Sequence, residues 1–258
     1  MEGLWQLLVL ACLGVFGGVL SGLVGVGGGI IFVPALVYVA GWSIGDATAA
    51  SFMIIIFSSL SGVLRNTSGE SPVNWRAATL LVATVAPASL IGVAINRVVP
   101  DDAVKIIFAF VLLSFTYPLL SQALGKKENG DTPARRIPPA VVLLGGVAIG
   151  TLSGLVGVGG GVVMVPLMIL GLDVRPKSAI ATSLIVVLCT GVVAAVGYVA
   201  TGFQEFSALP PLIVGSILGA WAGVRIRDRV PVKPLQIGFA AFMMIVAAQL
   251  LIDATNVF

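Results

Sequence analysis

The chain has 258 residues, of which 58% are hydrophobic and 10% are charged, and its formal net charge is +3. Soluble domains carry about 25% charged residues, so this composition excludes an ordinary soluble enzyme and indicates a protein embedded in a lipid bilayer. The basic residues lie mostly in short loops, which suits membrane orientation rather than nucleic-acid binding. The sequence has no histidine, which excludes histidine metal sites and histidine acid–base catalysis, and we predict no cofactor.

Eight apolar stretches follow one another along the chain. Six have about the 20 residues that cross a hydrocarbon core, whereas the first and the fifth are too long for one crossing. A polar stretch, 125–138, divides the chain, and we predict a first transmembrane repeat at 1–124, a cytoplasmic linker at 125–138 and a second repeat at 139–258. The apolar stretches are 4–40, 47–64, 77–96, 103–124, 139–171, 178–200, 207–224 and 235–252.

Both long stretches contain the same nine-residue motif. Residues 21–29 read SGLVGVGGG, and residues 153–161 repeat them without a change. A Val-Pro pair follows each copy at the same distance, ending at Pro34 and Pro166. Glycines disfavour helix by up to about 1 kcal/mol each. We therefore predict a re-entrant or discontinuous helix at each motif, with the two prolines as helix-breaking residues.

The distribution of lysine and arginine depends on how often the long stretches cross the membrane. If each crosses once, the two sides hold six and eight basic residues, which gives no preferred orientation. If each enters and returns, twelve lie on one side and two, Arg97 and Lys105, on the other, a positive-inside pattern. The second count predicts an all-α polytopic membrane protein with two inverted five-segment repeats and both termini periplasmic. Two parallel repeats of four passes are the alternative.

The glycine motifs are suited to binding an anion. Helices restarting after each break, at Ile30 and Val162, would present N–H groups and the positive end of the helix dipole. Inverted repeats would bring both motifs together near the membrane midplane, where serine and threonine hydroxyls add neutral donors. The predicted substrate-binding residues are Ser21, Gly25, Gly27, Gly28, Gly29, Ser51, Ser153, Gly157, Gly159, Gly160, Gly161 and Ser183, with Thr48 and Thr182 as further candidates.

Helix packing is the alternative role for glycine in this chain. Two stripes of glycines spaced by four residues precede the motifs, a spacing typical of close helix contacts, either within the chain or in a homodimer. A nucleotide-binding loop is excluded because no Gly-Lys-Ser/Thr sequence follows the glycines. The stripes are Gly14, Gly18 and Gly22, and Gly146, Gly150 and Gly154.

No carboxylate lies in the middle of an apolar stretch. Such charges are costly in a bilayer and usually mark function, so their absence argues against a carboxylate proton relay or a sodium site. It favours an anion bound by neutral dipoles. Arg65, Arg97 or Arg225 would supply positive charge at the mouths of the pathway or would serve as interface anchors.

Two copies of SGLVGVGGG followed by VP, one near the start of each half, resemble the TauE/SafE sulfite exporter family. The resemblance covers the whole chain and implies a bacterial inner-membrane permease for sulfite, sulfoacetate or related organosulfonates. It therefore implies a secondary transporter that exports such an anion by alternating access. Uptake of a sulfur-containing anion and an anion channel are alternatives. A membrane enzyme is disfavoured because no paired acids or activated nucleophile are visible.

Overall fold

The computed structural model describes residues 2–66, 72–123, 139–204, 206–226 and 232–255. This part of the chain forms ten α-helices and contains no β-strand. The predicted linker, 125–138, lies outside the described residues. In chain order the helices are α1 (Glu2–Val24), α2 (Gly29–Tyr38), α3 (Ile44–Asn66), α4 (Trp75–Asn96), α5 (Asp101–Ala123), α6 (Pro139–Val156), α7 (Gly161–Leu172), α8 (Pro176–Ala200), α9 (Leu209–Ile226) and α10 (Val232–Thr255).

The lengths and surfaces of the helices fit a bilayer. Among the described residues, five helices are long and apolar enough to cross a membrane, and large apolar side chains such as Phe110, Leu144 and Ile245 are exposed on the outer surface. The chain is therefore an all-helical polytopic membrane protein, as predicted. The five spans are Trp5–Val24, Ile44–Arg65, Trp75–Asn96, Lys177–Ala200 and Leu209–Ile226.

Two helices are too short to cross. At 1.5 Å per residue, the 10 residues of α2 and the 12 residues of α7 reach about half way through a core of about 30 Å. The chain reverses direction before α2, so that α2 runs back along α1. Two contacts show this: Phe32 packs on Gly17, and the Gln6 side chain donates a hydrogen bond to the Val39 carbonyl. Leu167 similarly packs near Gly145, so α7 returns along α6.

The prolines that follow the motifs do not break a helix, contrary to the prediction. Pro34 lies inside α2 and Pro166 lies inside α7, each at the sixth position of its helix. A proline removes one backbone N–H donor, and a membrane helix tolerates that loss where neighbouring groups compensate. The interruptions fall instead at residues 25–28 and 157–160, where the glycines lie.

The helices of the two halves pair in a matching way. Helix α1 packs along α9 as α6 packs along α4, while α3 packs on α8 and α5 on α10. Helices α3 and α8 run antiparallel, because Gly62 near the end of α3 faces Leu184 near the start of α8, and Ile56 faces Gly191 further along. These two helices cross at the centre of the bundle.

The glycine stripes hold two of these helix pairs together. Gly14, Gly18 and Gly22 of α1 lie against the backbone of α9, and Gly150 and Gly154 of α6 lie against the backbone of α4. Any Cβ on these stripe residues would meet backbone atoms of the partner helix at 3 Å or closer. The packing role of the stripes is thus fulfilled within the chain, and a homodimer would need a different surface.

Most of the described basic residues lie at one end of the bundle. Four helix ends lie together at this end of the bundle: the end of α3, the start of α4, the start of α8 and the end of α9. Two contacts show this, since Asn74 N–H donates to Thr182 Oγ1 and Arg65 stacks on Trp221. The described basic residues at this end include Arg65, Arg76, Arg175, Lys177 and Arg225. Arg97 and Lys105 lie at the opposite end.

Candidate functional site

The two glycine motifs adopt the same backbone conformation. Helix α1 ends at Val24, and Gly25, Gly27 and Gly28 then have φ angles of 76°, 83° and 82°. This left-handed region is open to glycine and costly for other residues. The glycine spacing of the motif is therefore set by backbone geometry. The second copy repeats these angles at Gly157 (79°), Gly159 (76°) and Gly160 (72°).

The motifs touch each other at the centre of the bundle. Gly29 lies against the backbone of Gly157 and Val158, and a Cβ added to it would lie 2.9 Å from Val158 Cα. Gly161 makes the equivalent contact with Gly25 and Val26, where a Cβ would lie 2.7 Å from Val26 Cα. Each short helix therefore starts against the glycines that precede the other one.

One serine links each motif to the other half of the chain. Ser51 Oγ, in α3, donates to the carbonyl of Gly157 at 2.8 Å, and Ser183 Oγ, in α8, donates to the carbonyl of Gly25 at 2.9 Å. Both serines are buried. Each Oγ also lies 2.8 Å from a carbonyl of its own helix, that of Thr48 for Ser51 and that of Ile180 for Ser183, so one hydroxyl proton faces two acceptors. These predicted site residues thus connect the motifs to α3 and α8.

Other buried hydroxyls near the motifs have no partner. Ser21 and Ser153 are 0% and 3% exposed, and neither Oγ has a hydrogen-bond partner among the described residues. Buried polar atoms are normally paired, so these two are suited to a ligand or to water. Thr48, Ser58, Ser59 and Thr190 also carry unpartnered buried hydroxyls. Ser58 and Thr190 lie two helical turns beyond Ser51 and Ser183.

Apolar side chains close over the glycines. Ile55 of α3 and Val187 of α8 lie at the centre of their helices and contact both Gly27 and Gly159. A Cβ on Gly159 would lie 3.2 Å from Val187 and 3.4 Å from Ile55. Neither residue was predicted from the sequence, although the two occupy matching positions, 132 residues apart, in the duplicated sequence.

The first turns of α2 and α7 supply hydrogen-bond donors. Gly28 and Gly160 are the N-cap residues, and neither has a side chain that caps the helix. The Gly28 carbonyl accepts from the N–H groups of Ile31 and Phe32. The N–H groups of Gly29 and Ile30 have no intrahelical acceptor, because the first N–H groups of any helix lack one. These N–H groups, like the hydroxyls of the unpartnered serines, are candidate donors that involve no charged side chain.

A cavity of about 200 Å³ lies at the end of the bundle opposite to the basic end. Beneath it, Asn96 Nδ2 donates to the Leu155 carbonyl and Tyr198 OH donates to the Gly154 carbonyl, both at 2.8 Å. These bonds satisfy the last carbonyls of α6, directly before the second motif. Sequence reasoning missed both side chains. The cavity is lined by Ser43, Gly45, Asp46, Ala49, Asn96, Arg97, Asp101, Tyr198, Gly202 and Phe203.

The three arginines named as mouth residues lie in different places. Arg97 lines the cavity just described. Arg65 and Arg225 lie beside Trp221 on the outer surface of α3 and α9, away from the glycine motifs. In the part of the chain that the structure describes, no cluster of acidic residues or cysteines is arranged to hold a metal ion.

The apolar surface and the membrane-length helices define a polytopic membrane protein, and short helices starting at contacting glycine segments are typical of transporters. The chain belongs to the TauE/SafE sulfite exporter family. The family model, described as Sulfite exporter TauE/SafE, matches residues 10–250. The match covers nearly the whole chain, including both motifs.

Relatives from distant organisms carry transporter names. The chain is 23% identical to "Probable membrane transporter protein YunE" of Bacillus subtilis, over 95% of this chain and 97% of that protein. It is 28% identical to a "Probable membrane transporter protein" of Haemophilus influenzae, over 93% and 96%. It is also 33% identical to "Sulfite exporter TauE/SafE family protein 3" of Arabidopsis thaliana, over 42% of this chain and 24% of that protein. No solved structure matches the chain. These findings identify it as a membrane transporter.

Proposed function

We propose that the protein is a secondary transporter that exports sulfite or a small organosulfonate anion across the bacterial cytoplasmic membrane. The substrate site is formed by the two contacting glycine motifs, and the sulfur-anion substrate class rests on the family to which the chain belongs. The observation that carries the site is the pair of buried, unpartnered hydroxyls of Ser21 and Ser153 beside the motifs. Such hydroxyls are available to donate hydrogen bonds to a ligand.

The chemistry of the donor set suits an oxyanion. A sulfite or sulfonate group offers three oxygens that only accept hydrogen bonds, and each motif offers first-turn N–H groups at the positive end of a helix dipole. Hydrogen bonds from Ser21 and Ser153 would complete the shell. Neutral donors bind an anion without a fixed counter-charge, which favours release as well as capture.

Two inverted repeats provide the framework for alternating access. The first repeat contains α1 to α5, the second contains α6 to α10, and each begins with a helix that is discontinuous at its motif. The antiparallel course of α3 and α8, the third helices of the two repeats, supports the inversion. Ile55 and Val187, which cover the glycines, would separate when one repeat rocks against the other.

The mode of transport has two alternatives. The same donors would serve an uptake permease for a sulfur-containing anion, or an anion channel. Because the side chains of Ile55 and Val187 close over the glycines, we favour a carrier.

Flux measurements in proteoliposomes test the substrate and the site together. We expect sulfite or sulfoacetate to move in the wild-type protein, and a comparison of the flux with and without an imposed pH gradient tests whether transport is coupled to protons. In Ser21→Ala and Ser153→Ala, the lost hydrogen bond to a charged ligand is worth about 1.5–3 kcal/mol, so apparent affinity should fall about 10- to 100-fold. Thermal stability should not fall, because neither hydroxyl has a protein partner to lose.

Ser89→Ala and Ser216→Ala are the matched controls. These buried serines donate to carbonyls of their own helices, so their replacement should leave the apparent affinity unchanged. Movement of neither anion would refute the substrate class. Unchanged affinity in the Ser21 and Ser153 variants would instead refute the site.

The topology gives a separate prediction. If the basic end of the bundle faces the cytoplasm, both termini are periplasmic. A reporter that is active only in the periplasm should be active when fused after Phe258 and inactive when inserted in the segment 125–138. The opposite pattern would contradict the inverted arrangement, whatever the substrate.

A further inference from the structure

A groove on the outer surface, separate from the glycine motifs, combines apolar walls with positive charge at one end. It lies between α3 and α9 and has a volume of about 390 Å³. We refer to it as the α3–α9 groove. Its lining residues are Phe57, Leu60, Ser61, Leu64, Arg65, Ile217 and Trp221.

The groove belongs to the surface that faces lipid. Phe57, Leu60 and Leu64 follow one another at helical spacing on α3, and they are 42%, 40% and 64% exposed. The opposite face of α3, with Ser51 and Ile55, is buried against the motifs. The apolar walls therefore have the chemistry of an acyl-chain contact rather than of a path for a hydrophilic anion.

The floor of the groove is fixed by a bond between its two helices. Ser61 Oγ donates to the carbonyl of Ile217 at 2.9 Å. Gly62, the next residue, faces the opposite way and packs against Leu184 of α8. The α3–α9 groove therefore has a floor in which the two helices are joined by a hydrogen bond.

Two guanidinium groups lie at the basic end of the groove. Arg65 Cζ is 5.5 Å and Arg225 Cζ is 5.2 Å from the centre of the Trp221 ring. Both distances fall within cation–π range, so one exposed indole holds two positive charges close together. Neither arginine forms an ion pair with a carboxylate among the described residues. A bound anion would reduce the repulsion between the two guanidinium groups.

We propose that the α3–α9 groove binds an anionic phospholipid. Its phosphate accepts hydrogen bonds from Arg65 and Arg225, and one acyl chain lies along Phe57, Leu60 and Leu64. Trp221 lies near the end of α9, and tryptophan is enriched where a membrane meets water. Arg65 and Arg225 can reach the phosphate because both lie at the basic end of the groove. This inference does not depend on the identity of the transported anion.

Native mass spectrometry of the purified full chain tests the proposal, with phosphatidylglycerol and phosphatidylcholine as probes. We expect phosphatidylglycerol to be retained preferentially. A basic residue near an anionic surface contributes about a fivefold gain in affinity, so Arg65→Gln combined with Arg225→Gln should weaken retention about 30-fold. Arg76→Gln is the matched control, because Arg76 is an exposed arginine at the same end of the bundle and lies outside the groove.

A second variant tests the apolar wall and guards against misfolding of the double mutant. Leu60→Asn should reduce retention of phosphatidylglycerol while leaving the arginines in place. Equal retention of both lipids by the wild type would overturn the proposal. So would displacement of phosphatidylglycerol by millimolar inorganic phosphate, which would indicate a phosphate site, or burial of Trp221 by a second copy of the chain.

Discussion

Alanine at Gly29 or at Gly161 is expected to abolish transport and to destabilise the protein by about 1–3 kcal/mol. Neither glycine has a positive φ, so the cost does not arise from backbone conformation. It arises because a Cβ at Gly29 would press on Gly157 and Val158, and a Cβ at Gly161 would press on Gly25. The two motifs would be forced apart, and the donors of the site would separate.

Anion flux in proteoliposomes and the unfolding midpoint of the same preparation measure this effect. Gly145→Ala is the matched control, because Gly145 lies inside α6 with its nearest neighbour, Leu167, at 3.8 Å from an added Cβ. An alanine in a helix interior with room for it stabilises by roughly 0.5–1 kcal/mol. Normal flux in Gly29→Ala and Gly161→Ala would show that contact between the motifs is unnecessary for transport.

Leucine at Gly18 or at Gly150 is expected to prevent the chain from reaching its folded state. A Cβ on Gly18 would lie 2.8 Å from Ala220 N, and a Cβ on Gly150 would lie 2.8 Å from the Ala88 side chain and closer still to the Val85 carbonyl. Backbone atoms cannot move aside as a side chain can. The longer side chain would separate α1 from α9 or α4 from α6, at a cost of more than about 3 kcal/mol.

Size-exclusion chromatography in detergent and the yield of membrane-inserted protein test this prediction. Val147→Leu is the control, because Val147 is on α6 but 41% exposed, so the added carbon meets lipid. The control should elute as the wild type does. A monodisperse, stable Gly18→Leu protein would mean that the stripe is not a close helix contact.

The duplicated motif allowed the backbone of the candidate site to be predicted. Three glycines in each copy have positive φ, which no other residue adopts at comparable cost, so their sequence pattern already reflects the backbone. Ser51 and Ser183 were identifiable because they occupy matching positions in the duplication. Pro34 and Pro166 do not mark the helix breaks that they were predicted to mark, because a proline inside a membrane helix is tolerated where surrounding groups make up for the lost donor.

Other residues carried no local signal. Asn96 and Tyr198 satisfy carbonyls of α6 only because α4 and α8 end beside it, a relation that depends on helix packing. The sequence predicted Arg65, Arg97 and Arg225 alike as residues at the mouths of a pathway or as interface anchors. The structure separates them, because the outward face of α3 carries Arg65 to Trp221 on the surface.

The sequence by itself determined that the chain is an all-helical membrane protein with two glycine-interrupted segments, because apolar length and glycine spacing act locally. Tertiary structure alone decided which helix each glycine stripe contacts and that the two motifs touch. It also decided which serine hydroxyls are bonded and which are left unpartnered. Those outcomes depend on contacts between residues more than a hundred positions apart, such as Ser51 with Gly157 and Ser183 with Gly25, and no local pattern encodes them.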